Sequence, residues 1–178
     1  MVNQRIHGDI KSISACAVVN VASYWAGGLD LNDLEFTRRR YDNDQAYRQS
    51  KQANRMLSSV FAEKLKPYQV AVNVCHPGDV NSVLSNNLGF GGHESPDQGA
   101  ETPVWLATHP VGQEYTGLYF EHLRETNCLF ARDKHMANAL FESCANYAKH
   151  KSEKNELNQL SQVSNCNRLQ TSDNAHIG

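Results

Sequence analysis

The chain has 178 residues, 40% of them apolar and 20% charged, with a formal charge of −2 at neutral pH; that length suits one domain with a real core and hardly two. Such a balance offers no electrostatic pull toward nucleic acid or an anionic membrane, and no apolar run approaches the roughly 18 residues that a membrane span needs. Five cysteines, at 16, 75, 128, 144 and 166, show neither CxxC pairs nor Cys/His zinc spacing, which excludes a disulfide framework and a structural zinc site as readings and leaves reduced thiols in a cytoplasmic protein, with peripheral membrane association as the alternative location.

Residues 1–15 carry no pattern and stay unassigned. "CAVVNVAS", residues 16–23, is a continuous β-branched run closed by Ser23, as expected of a strand buried on both faces of a parallel sheet. Residues 29–43, "LDLNDLEFTRRRYDN", read as a long polar surface connection. Its three arginines, 38–40, sit beside Asp42 and Asp44 and read as a solvated, partly neutralised loop.

From Ala46 to about Lys64, apolar side chains at Tyr47, Ala53, Met56, Leu57, Val60, Phe61 and Leu65 recur at helical steps, and Pro67 stops the helix. "VAVNVCHPG" repeats the short branched run and ends sharply at Pro77-Gly78, giving a second buried strand. Residues 81–99 are rich in Asn, Ser and Gly and read as a functional loop. A helix over about 97–108, a third strand in "YTGLYFEH" and a helix over about 131–148 follow, and the polar tail from 149 to 178 reads as unfolded. The alternation predicts an α/β fold: a partial Rossmann-type parallel sheet with flanking helices, occupying residues 16–148.

Three local features share one geometric logic. Ligands of open parallel sheets bind at the carboxyl ends of the strands, where Ser23 and Pro77 both belong. Tyr47 and Lys51 lie four apart on a helix and so share a face. A phenol is a poor acid or base near pH 7, with a pKa of about 10, and a neighbouring ammonium favours its ionised form. Tyr47 could then exchange a proton with an alcohol or carbonyl oxygen, Ser23 could hydrogen-bond that oxygen, and Lys51 could hold a cofactor ribose. The set contains no hydride source, so a nicotinamide cofactor is implied. YxxxK alone is a weak motif; the order of the three features carries the weight.

"VNVAS", "YRQSK" and "HPGDVNS" together resemble the short-chain dehydrogenase/reductase superfamily, with a long connection like that of the retinol-dehydrogenase-like members. The resemblance implies catalytic roles for Ser23, Tyr47 and Lys51. It implies cofactor binding by Tyr47, Lys51, Pro77, Gly78, Val80 and Ser82, the last standing where the family has threonine. NAD or NADP is the implied cofactor and a small alcohol or carbonyl compound the implied substrate, with no metal. The glycine-rich start of the family is not seen, so the chain looks like its C-terminal half, and impaired cofactor binding is expected. The alternative is a catalytically inactive family member that pairs with a copy of itself or a full-length relative through the helix at 46–65.

Other candidates read as structural. Asn54 reads as solvated, His76 as no proton shuttle, His93 as no metal ligand, and Trp25 and Trp105 as packing residues. Asp79 and Asn81, at the mouth of the second strand, are balanced between ligand contact and turn chemistry.

Overall fold

The computed structural model describes residues 16–151. The chain divides into two compact units, Met1–Asn138 and Ala139–Gly178. Among the described residues the second holds the end of a helix that runs over residues 134–151. The expectations for residues 1–15, and for the tail beyond 151, lie outside the described residues.

The first unit is built on a sheet of order β1-β2-β3-β4. Strand β1 is Cys16–Val21 and β2 is Val70–His76, parallel and in register from Cys16 opposite Val70 to Val21 opposite Cys75. Six of the seven β2 residues are buried, because this strand is central, which is why it reads as an unbroken apolar run. β3, Tyr119–Glu121, is parallel to β2. β4, Arg124–Thr126, is antiparallel to β3, so the sheet is mixed where the sequence predicted only parallel strands. His122 and Leu123 make the intervening turn with positive φ, a conformation without a Gly or Asn signal to announce it.

Helix α1, Asn43–Leu65, starts three residues before the apolar periodicity does. Asp42 caps it, its carboxylate accepting the amide of Gln45 at 2.8 Å, and Asp44 sits in the positive first turn. Pro67 ends it by opening a short 3-10 turn, Lys66–Tyr68. Met56 and Val60 of α1 join the buried core with Val72, Val74 and Cys75 of β2. Complete burial of a side chain such as Met56 stabilises by about 1.5–3 kcal/mol.

The 81–99 stretch is more ordered than its composition suggests. It holds α2, Val83–Asn87, whose cap Ser82 and third residue Ser85 bond each other reciprocally. Helix α3, Pro96–Thr108, begins at a second such box, Ser95 with Gln98. Gly99 is required there, since a Cβ would lie 2.3 Å from the Val80 side chain. Helix α4, Val111–Glu114, is tied to β2 by Asn73, whose buried amide donates to the carbonyls of Gly112 and Tyr115 and accepts from the Leu118 amide. Among the described residues β1 is an edge strand, and its Val18 and Val21 are 40% and 41% exposed.

Candidate active site

The carboxyl ends of β1 and β2 open on a cavity of about 180 Å³. Ser23, Tyr47, Lys51, Pro77, Gly78, Val80 and Ser82, the seven residues singled out in the sequence, all line it. They come from three places: the turn after β1, the first three turns of α1, and the segment between β2 and α2.

Ser23 is buried, and its Oγ accepts the Trp25 amide at 3.1 Å. The hydroxyl proton therefore stays available to a ligand in the cavity. Lys51 lies one turn beyond Tyr47, with Nζ 5.5 Å from the centre of the tyrosine ring and donating to the Val21 carbonyl at 3.2 Å. Burial draws its pKa below the ordinary lysine value. Ser50 donates to the Tyr47 carbonyl at 2.7 Å. Ser82 spends its hydroxyl on capping α2, accepting the Ser85 amide at 3.1 Å.

The Pro77-Gly78 turn is braced from outside. Glu94 and His93 donate their amides to the Asp79 carbonyl, and Asn81 donates its own to the Glu94 carbonyl. Both residues that the sequence left balanced thus serve the turn, and Asp79 lines the cavity as well. His93 lies 3.8 Å from the Asp79 carboxylate, and among the described residues no cluster of His, Cys, Asp or Glu could hold a metal.

Sequence reasoning missed the cavity's aromatic wall. Trp25 lines it, meets Phe90 edge to face at 4.8 Å and meets Tyr24 at 5.7 Å. Phe90 also lies 6.1 Å from Tyr47. Leu84 and Leu88 complete an apolar side. The only hint was Phe90 itself, a lone aromatic in the glycine-rich "GFGG". His76 lines the cavity as well, edge-on to Tyr24 at 4.6 Å, and burial lowers its pKa, so it is a neutral imidazole near pH 7. Asn54 does not line the cavity; its carbonyl accepts the Ser58 hydroxyl.

No protein-family model matches the chain. It is 29% identical over 151 residues to retinol dehydrogenase 14 of Homo sapiens, an alignment covering 76% of this chain and 45% of that protein. It is 31% identical over 152 residues to the short-chain dehydrogenase TIC 32 A, chloroplastic, of Brassica napus, covering 77% and 46%. The chain is a relative of the short-chain dehydrogenases and reductases. It spans about half the length of the curated relatives it matches, 45% and 46%. Among solved structures, the crystal structure of an uncharacterized protein from Mycobacterium Paratuberculosis matches this short-chain dehydrogenase relative with a TM-score of 0.55 at 25% identity, covering 69% of this chain and 46% of that one. No helix among the described residues is long and apolar enough to cross a membrane.

Proposed function

We propose that the chain carries the proton-transfer centre of an oxidoreductase that exchanges hydride between NAD(H) or NADP(H) and an alcohol or carbonyl compound with an apolar body. One observation carries this reading: Ser23, Tyr47 and Lys51 share a single cavity with the turn from Pro77 to Ser82. Tyr47 gives or takes the proton at the substrate oxygen. Ser23 donates a hydrogen bond to the same oxygen and orients it. Lys51 stabilises negative charge developing on the phenol oxygen.

The described residues fit the nicotinamide-ribose end of the cofactor. Lys51 offers a half-buried ammonium to ribose hydroxyls, and Pro77, Gly78 and Val80 offer a short, tightly turned backbone beside it. When bound, the cofactor supplies or accepts the hydride. Trp25, Phe90, Leu84 and Leu88 line the same space with apolar surface and favour an apolar substrate body.

The test is NADH or NADPH oxidation, followed by absorbance, with a panel of aliphatic and aromatic aldehydes and ketones. Turnover is expected to fall by about 10²- to 10⁴-fold in Tyr47→Phe, with an unchanged circular dichroism spectrum. Equal turnover by the variant would remove Tyr47 from the mechanism.

The exposed apolar edge of β1 favours a second reading, an inactive chain that works by association. Light scattering on the purified protein that finds an inactive complex, with a copy of itself or with a full-length relative, would favour it over the first.

A further inference from the structure

Arg55 follows Lys51 by one turn of α1, and its side chain is buried, with 6% of the residue exposed. Its guanidinium stacks on the Tyr119 ring, 3.7 Å from the centroid, and faces the Phe130 ring at 5.0 Å. Nη1 donates to the Ser23 carbonyl at 3.5 Å, and the buried Nε has no hydrogen-bond partner. Among the described residues no carboxylate lies within ion-pair distance of it. A methionine would fill that volume without the desolvation cost of a buried cation, so packing alone does not account for the arginine.

The surroundings compensate the charge indirectly. The Tyr119 hydroxyl donates to the Glu121 carboxylate. Burial, with this bond, pushes the Tyr119 pKa far up and keeps it a neutral phenol. A phenol that donates to a carboxylate has an electron-rich ring, which strengthens its attraction for the cation on its face. Arg55, Tyr119 and Glu121 therefore form a stack that ends at the backbone of Ser23.

We propose that Arg55 is a positioning residue for the site: together with Lys51 it grips the carboxyl end of β1 and so aims the Ser23 hydroxyl into the cavity. Lys51 holds the Val21 carbonyl and Arg55 the Ser23 carbonyl, while the Ala22 amide between them is bound to the Cys75 carbonyl at 2.7 Å. Three bonds on three successive residues fix the corner from which Ser23 projects. Beyond it, Trp25 and Ala26 donate their amides to Ser23 Oγ and O, so the turn inherits the same anchor. The catalytic part of this inference rests on the role proposed above for Ser23.

The test pairs hydrogen exchange with kinetics in Arg55→Met and Arg55→Lys. In Arg55→Met the Trp25 and Ala26 amides are expected to exchange about tenfold faster while β2 amides keep their rates, and Arg55→Lys is expected to recover part of the protection. With wild-type turnover established, kcat is expected to fall by about 10- to 100-fold in Arg55→Met at an unchanged cofactor KM. Unchanged exchange at Trp25 and Ala26 would overturn the proposal, as would uniform acceleration across α1 and β2 in both variants, which marks a purely structural arginine. If the wild-type protein turns over no substrate, the proposed reaction falls, and the exchange rates still decide whether Arg55 holds the Ser23 corner.

Discussion

The ammonium of Lys51, on α1, donates to the carbonyl oxygen of Val21, the last residue of β1, across 3.2 Å. This contact joins the helix that bears Tyr47 to the strand that leads into Ser23, so the relative placement of the two hydroxyls depends on it. Burial disfavours the charged lysine and draws its pKa down. Between that lowered value and the ordinary 10.5 the unfolded chain binds more protons than the folded one, so this group's contribution to stability rises with pH through that window. Replacement by methionine removes that rise. Urea midpoints of wild type and Lys51→Met, measured from pH 7 to pH 11, are expected to diverge in favour of the wild type as pH increases. Parallel curves would show that Lys51 is not desolvated in the native state.

The connection from residue 28 to 42 is organised by one buried carboxylate. Asp33 accepts the amides of Thr37 at 2.7 Å, Arg38 at 3.2 Å and Arg39 at 3.1 Å, and it pairs with the Arg39 guanidinium at 3.4 Å. Burial acts to raise its pKa, but the donors from Arg38, Thr37 and Arg39 outweigh burial and hold it below the ordinary 3.8. This stabilisation is present above that ordinary value and is lost as pH falls through the lower folded one. Asp33→Ala is expected to expose the "RRR" segment to trypsin, with cleavage roughly tenfold faster than in the wild type at pH 7. Equal cleavage rates would mean that the loop is held by other contacts.

Gly78 has φ of +101°, and a Cβ there would lie 1.5 Å from Glu94 Oε2. Two separate costs follow for Gly78→Ala: the backbone conformation, about 1–3 kcal/mol, and the collision with Glu94. The double variant Gly78→Ala/Glu94→Ala is expected to recover only the second. Full recovery of the urea midpoint in the double variant would show that the turn accepts an alanine backbone without strain.

How far the sequence reached depended on whether a signal was local. The apolar runs of β1 and β2, the periodicity of α1 and the spacing of Tyr47 and Lys51 are written in consecutive residues, and the elements they form bring Ser23, Tyr47, Lys51 and Pro77 to one cavity at the strand ends. β4 escaped because its three residues, Arg-Glu-Thr, are polar and follow a turn at His122 and Leu123 that uses no turn-forming residue. α2 escaped because its order comes from the Ser82–Ser85 capping box rather than from apolar spacing. The order of the 28–42 connection was illegible because Asp33 recruits donors that only the folded loop brings together. Arg55 was invisible for a related reason: its ring partners, Tyr119 and Phe130, lie more than sixty residues away in the chain.

The edge-to-face contact between Trp25 and Phe90 bears on substrate choice. Phe90 reaches the cavity from a loop whose neck is closed by the Asn81–Glu94 and His93–Asp79 backbone bonds. A loop pinned at its neck holds its aromatic tip in place, so Phe90 presents a preformed wall near Tyr47. Under the proposed reaction, removing that ring costs apolar contact with the substrate and leaves the proton-transfer groups intact. Phe90→Ala is therefore expected to raise KM for an aromatic or long-chain aldehyde by about 10- to 200-fold, the effect of some 1–3 kcal/mol of lost apolar contact. KM for a two-carbon aldehyde and for the cofactor should stay unchanged. The check is a comparison of kcat/KM across aldehydes of increasing length; a uniform fall for all of them would mean that Phe90 supports the fold of the site and does not select the substrate.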